Sequence, residues 1–156
     1  MTNFTVLGVD PSSTCCGVSI VKNGSPTHIS HFVSNKKLDL GRRIWEFGNY
    51  LRSVRAKQKI DLIAVEEVSK SRNLNTVRKI AYFESVALAK AGEWNIPTLL
   101  LSPKTARKHG VGNGSLSKEQ TFAIMSKKYD FCEGKYALDE CDSLVIALAG
   151  YKLKHG

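Results

Sequence analysis

The opening third of the chain constrains the fold most. Phe4 to Val9 is a short apolar run rich in β-formers, halted by Asp10-Pro11-Ser12-Ser13. It reads as a buried strand that ends in a turn. Gly17 to Lys22 reads as a second strand and Thr27 to Val33 as a third, joined through Asn23-Gly24. That dipeptide favours the positive φ angles of a two-residue hairpin. The chain therefore opens with a β-meander.

The pattern then changes period. Leu40, Ile44, Phe47, Leu51 and Val54 recur at helical spacing, predicting an amphipathic helix. Leu62-Ile63-Ala64-Val65 is a fourth strand within Asp61 to Glu66, closed by the carboxylates Glu66 and Glu67. Leu74, Val77, Ala81, Leu88 and Ala91 predict a second helix, and Pro97 to Leu101 a fifth strand. Ser102-Pro103 has the form of an N-cap followed by proline at the first helical position. After a loop containing Gly110, Gly112 and Gly114, Ser117 and Gln120 have capping-box spacing. A last helix covers Leu138 to Tyr151, with Cys141, Leu144, Val145 and Leu148 on its apolar face. Three meander strands followed by alternating helices and strands predict an α/β fold: a five-stranded mixed sheet with helices on both faces.

A chain of 156 residues fits one domain, 1–156. The net charge of +9 points to a polyanionic partner, nucleic acid or an acidic membrane surface. No apolar run approaches membrane-spanning length, and Met1-Thr2-Asn3-Phe4 does not begin a signal peptide. Cys15, Cys16, Cys132 and Cys141 show no CxxC spacing and form a poor disulfide or zinc framework. They read as reduced, mostly buried thiols of a cytosolic protein.

Chemistry enters through the acids. Asp10 ends the first strand and Glu66 the fourth, and ligands of open α/β sheets collect beyond strand ends. Asp139 and Asp142 lie three residues apart, so a helix presents both on one face. Each alone is explained as a turn cap or a solvated helix residue. Together, in a basic protein, four converging carboxylates need a compensating cation. Mg²⁺ takes hard oxygen ligands and binds through few carboxylates plus substrate phosphate. Two such ions activate water and stabilise the leaving oxygen in phosphodiester hydrolysis. The bases are segregated from the acids. Residues 69–79 carry Lys70, Arg72, Arg78 and Lys79 without an acid, and residues 102–118 carry Lys104, Arg107, Lys108 and Lys118 without an acid. Residues 130–142 hold Asp130, Glu133, Asp139, Glu140 and Asp142 against Lys135. An acidic pocket flanked by basic loops suits a nuclease: acids hold metal, and bases hold the phosphate backbone.

Leu7-Gly8-Val9-Asp10-Pro11-Ser12, Ala64-Val65-Glu66-Glu67-Val68 and Leu138-Asp139-Glu140-Cys141-Asp142-Ser143-Leu144 resemble the acidic motifs of RuvC-type Holliday junction resolvases. Pro103-x-x-x-Arg107, Gly112-x-Gly114 and Lys118-x-Gln120 reproduce that family's middle motif in register. The resemblance runs nearly end to end and implies a ribonuclease H-like fold. It implies that Asp10, Glu66, Asp139 and Asp142 are the metal-binding and catalytic carboxylates, served by Mg²⁺ with Mn²⁺ as a substitute. Lys118 would face the scissile phosphate as a preorganised cation, and Arg107 would support the backbone. Glu67 stands where the family usually has an uncharged polar residue, so it is the weaker candidate and is treated as a nearby charge. Lys70, Arg72, Arg78, Lys79, Lys104, Arg107, Lys108 and Lys118 would contact branched DNA, above all four-way junctions. The resemblance further implies a homodimer, with the helix from Leu74 as its dimer element and Tyr82 and Phe83 as anchors or core residues. It implies the cytoplasm of a bacterial or phage-infected cell. The family often carries an aromatic residue three positions beyond the strand-four glutamate; here that position is Ser69, which predicts relaxed selectivity among branched DNAs.

Two other readings compete. Asp10-Pro11-Ser12-Ser13-Thr14 followed by a hairpin also resembles the phosphate-binding turn of sugar kinases and actin-type ATPases. Those enzymes use two such domains, and no second phosphate loop is found here; ATP binding discriminates. An RNA-processing nuclease of the same fold is the third reading, because contact to a 2′-hydroxyl leaves no mark in a sequence.

Overall fold

A computed structural model of the chain describes residues 2–68 and 73–156. Its strands are β1 (Thr5–Asp10), β2 (Cys15–Lys22), β3 (Ser25–Val33), β4 (Leu62–Glu66) and β5 (Thr98–Leu101). Its helices are α1 (Leu40–Arg55), α2 (Leu74–Glu93), α3 (Pro103–Gly110), α4 (Lys118–Met125) and α5 (Ala137–Lys154). The strands form one sheet in the order β3-β2-β1-β4-β5. β1 is antiparallel to β2 and parallel to β4, so the sheet is mixed. Asn23 and Gly24 turn at φ 53° and 85°, as the hairpin requires. That tight turn lets β3 begin at Ser25, two residues before the sequence-based start. Pro26 fits there because β3 is an edge strand and the register shifts beside it, between Ile20 and Val21.

Strand alternation splits the interior into two cores. Leu7 and Val9 of β1, with Val18, Ile20, Ile63 and Val65, pack under α1 and α2, where Phe47, Leu51, Phe83 and Ala87 meet them. Val6, Val21, Leu62 and Ala64 face the other way, onto α5, with Ala106 of α3 and Met125 of α4. Helices thus cover both faces. Each of the first four helices starts on a side-chain cap. Asp39, Asn73 and Ser102 accept from Gly41, Thr76 and Thr105 backbone N–H groups, and Ser117 with Gln120 forms a full capping box.

α5 departs from the expected amphipathic helix. Residues Ser143 to Gly150 are all buried, because the sheet covers one side and α3 with α4 the other. It lies against the strands at backbone distance. A Cβ on Gly8 would collide with the Ser143 carbonyl and the Ala147 backbone, and one on Gly17 with the Asp139 carbonyl. Ser19 Oγ and Ser143 Oγ bond across this seam at 2.6 Å, and Ser143 also donates to the Glu140 carbonyl. Among the described residues, no helix is long and apolar enough to cross a membrane. Cys15, Cys16 and Cys141 are buried free thiols, and Cys132 is half-buried.

Candidate active site

The sheet register brings the first two carboxylates together. Val9 of β1 pairs with Val65 of β4 in parallel, which sets Asp10 and Glu66 side by side at the strand ends. The first turns of α5, pressed onto β1 and β2 through the two glycines, carry Asp139 and Asp142 to the same end. The charges of Glu66, Asp142 and Asp139 all act on Asp10. The four acids that the sequence reading singled out are therefore one electrostatic unit.

Its energetics are those of buried acids crowded together. Burial, reinforced by Glu66 and Asp142, pushes the Asp10 carboxyl well above the ordinary carboxylate range. Burial also raises Asp139 and Asp142, and in both Lys118 pulls the other way. Lys118 Nζ lies 2.9 Å from Asp142 Oδ2. Burial disfavours its ammonium, but Asp142 and Asp10 outweigh that and hold it charged above the usual lysine range. Among the described residues, the Lys118 charge acts on Asp10, Asp139 and Asp142, and Arg107 adds to it at Asp142. The donor set is all oxygen, and a hard dication at this spot fits it.

The capping box at Ser117 sets the start of α4 and so aims Lys118. Arg107 supports the same segment from α3: its guanidinium donates to the Leu116 carbonyl at 3.2 Å, and its charge reaches Asp142. Lys104 and Lys108 are exposed on α3, and Arg78 and Lys79 on α2. Lys79 helps to line a cavity of about 330 Å³ with Ser13, Lys36, Arg43 and Tyr82. Lys70, Arg72 and Ser69 lie outside the described residues. Glu67 is exposed and is not among the charges that act on Asp10. Its backbone N–H donates to the Leu101 carbonyl at 2.7 Å, and its charge, after burial, raises Glu84 of α2. Phe83 belongs to the core, its ring 5.8 Å from that of Phe47, while Tyr82 stays exposed.

Two partners escaped the sequence reading. Cys15 hydrogen-bonds Asp139, and burial with that negative charge pushes its thiol up to about 12. Glu140, buried beside Asp139, bonds His31 Nδ1 at 2.6 Å and the Cys132 backbone N–H at 2.9 Å. The pairing of Gly17 with His31 places that histidine opposite α5. Only the register, invisible in a linear pattern, makes this contact.

The fold is matched by that of Thermus thermophilus RuvC in complex with a Holliday junction substrate, at a TM-score of 0.82, covering 96% of this chain and 94% of that one at 20% identity. The yeast mitochondrial Holliday junction resolvase matches at a TM-score of 0.62, over 92% and 76% of the two chains, with 20% identity. The architecture is thus ribonuclease H-like. A crossover junction endodeoxyribonuclease RuvC from Salinispora arenicola is 30% identical over 148 residues, covering 92% of this chain and 85% of that protein. Its counterpart from Corynebacterium diphtheriae is 25% identical over 147 residues, covering 91% and 90%. The family model for crossover junction endodeoxyribonuclease RuvC matches residues 6–150. The chain belongs to the RuvC family of crossover junction endodeoxyribonucleases.

Proposed function

We propose that this protein is a structure-selective DNA endonuclease, a single nuclease domain that resolves Holliday junctions by hydrolysing phosphodiester bonds. RuvC nucleases are metal-dependent, and Mg²⁺, with Mn²⁺ as a substitute, is the ion proposed here. The observation that carries the reading is the convergence of Asp10, Glu66, Asp139 and Asp142, with the Lys118 ammonium against Asp142. Mg²⁺ bound there would supply Lewis-acid activation of water and neutralise charge on the phosphate. The four carboxylates hold the metal and fix its position against the strand ends. Lys118 is charged at any physiological pH and stands ready for the negative charge that develops on the scissile phosphate. Arg107 keeps Lys118 in place through Leu116. Lys70, Arg72, Arg78, Lys79, Lys104 and Lys108 would grip the backbone on either side.

A four-way junction is near two-fold symmetric, and a homodimer presents two such sites to it. The exposed face of α2 around Tyr82 is the dimer element in this reading. The cytoplasm of a bacterial or phage-infected cell supplies such substrates. The test is to incubate purified protein with labelled four-way, three-way and linear DNA, in Mg²⁺ or EDTA. Cleavage of branched DNA in Mg²⁺ alone is expected; equal cleavage of linear DNA would exclude junction resolution.

A further inference from the structure

Behind the carboxylate cluster lies a second group of ligating side chains with different chemistry. His31 of β3, Cys132 of the segment before α5 and Glu140 of α5 bring their ligand atoms within 4.8 Å of one another. His31 Nδ1 is 2.6 Å from Glu140 Oε2 and 3.9 Å from Cys132 Sγ. His31 comes from a segment far in sequence from Cys132 and Glu140, and the three meet on the α5 face of the sheet. Glu140 is buried, with 6% of its side chain exposed, against 26% for His31. The Tyr136 ring packs on the imidazole at 4.9 Å between centroids, so solvent reaches the imidazole only at its partly exposed edge.

We propose that His31, Cys132 and Glu140 form a binding site for a thiophilic divalent cation of the Zn²⁺ type, separate from the carboxylate cluster. Sulfur, imidazole nitrogen and one carboxylate oxygen are a borderline-soft donor set. It selects Zn²⁺ or Co²⁺ over Mg²⁺, which takes oxygen ligands. The geometry is close to what such an ion needs. Bond lengths of about 2.0–2.3 Å place the ligand atoms of a tetrahedral site roughly 3.3–3.7 Å apart. The His31–Glu140 hydrogen bond is shorter than that and the His31–Cys132 separation slightly longer, so small side-chain rotations open the one and close the other. Three protein ligands leave a fourth position for water. Metal entry replaces the Nδ1–Oε2 hydrogen bond. Nδ1 must present its lone pair, leaving the ring proton on Nε2, and the Cys132 thiol gives its proton to solvent.

The position gives the site a consequence. Glu140 adjoins Asp139, and Cys132 begins the approach to α5. A cation here would tie β3, that approach and the first turn of α5 together through three bonds. It would fix the backbone that carries Asp139 without touching the scissile phosphate.

The test uses metal-stripped protein carrying Asp10→Asn and Asp142→Asn, which disables the carboxylate cluster and leaves His31, Cys132 and Glu140 intact. Titration with Co²⁺ should give one bound equivalent with a thiolate-to-cobalt charge-transfer absorption. Equimolar Zn²⁺ should abolish the absorption, and a large excess of Mg²⁺ should not. Cys132→Ser should remove the band, and His31→Gln should weaken Co²⁺ binding at least about tenfold. The readout is spectroscopic, so it stands or falls apart from nuclease activity. Absence of the band, its survival in Cys132→Ser, or its displacement by Mg²⁺ would overturn the assignment and leave the trio a hydrogen-bonded brace for α5.

Discussion

Lys118 Nζ sits 2.9 Å from Asp142 Oδ2, so the ammonium occupies the edge of the carboxylate cluster from which it would meet a phosphate. The pair restrains the charge of the acids and keeps the lysine aimed. Lys118→Ala should lower the cleavage rate by about 10²–10³-fold while changing junction affinity little. Single-turnover rates and binding in EDTA, measured on the same variant, check this. A loss of binding as large as the loss of rate would make Lys118 a backbone clamp.

The acids themselves should weaken the metal-free fold. Asp10, Asp139 and Asp142 have carboxyls raised by burial, so the folded state holds their protons more tightly than the unfolded chain does. Stability in EDTA should therefore fall as pH rises from the ordinary value near 3.8 through the raised range, and level off above it. This is opposite in sign to a salt-bridged aspartate. Mg²⁺ should restore the loss. Asp10→Asn should unfold at higher denaturant than the parent in EDTA at neutral pH, keep junction binding and cut no DNA. Urea titrations across pH, with and without Mg²⁺, provide the measurement.

The dimer prediction now rests on one ring of the two. Phe83 is buried against Phe47, whereas Tyr82 is 37% exposed and lines the cavity between α1 and α2 with Leu40. Tyr82→Asp should shift sedimentation toward monomer without a change in urea midpoint. Phe83→Ala should instead cost about 3–5 kcal/mol of stability, as loss of a large core ring does.

Substrate range turns on Ser69, where a stacking ring would contribute roughly 1–3 kcal/mol per base. With serine there, three-way and forked DNAs should be cut alongside four-way junctions, and binding should fall steeply with salt. Cleavage of four-way, three-way and flap DNAs at matched salt decides it, and Ser69→Phe should sharpen the preference for four-way DNA.

Gly17 offers a test of the seam between sheet and helix. Gly17→Ala puts a methyl into the Asp139 carbonyl. Overpacking of this kind costs about 1–3 kcal/mol, and here the backbone that must yield carries an active-site carboxylate. The cleavage rate should drop more than the shift in urea midpoint alone explains.

Much of this was legible in the linear pattern, for identifiable reasons. Short runs rich in β-formers, stopped by Asp10-Pro11 and Asn23-Gly24, announce strands, and Ser102-Pro103 and Ser117-x-x-Gln120 announce helix starts, because turn and cap chemistry is local. Asp10 and Glu66 could be paired because strand ends in a parallel pair converge. α5 was misread as one-faced because its outer cover, α3 and α4, is contributed by other segments. His31 was passed over because its partner Glu140 lies 109 residues away, and only the β2–β3 register brings them together. Glu67 was separated from Glu66 on family pattern alone, since the two are adjacent acids in the linear sequence.

Two missing methyl groups set the tolerance of the whole site. At Gly8 and Gly17 α5 meets bare peptide planes of β1 and β2, and a peptide plane has no rotamers through which a substitution elsewhere can be transmitted. The distance from the β1 terminus to the first turn of α5 is then fixed like a machined shoulder.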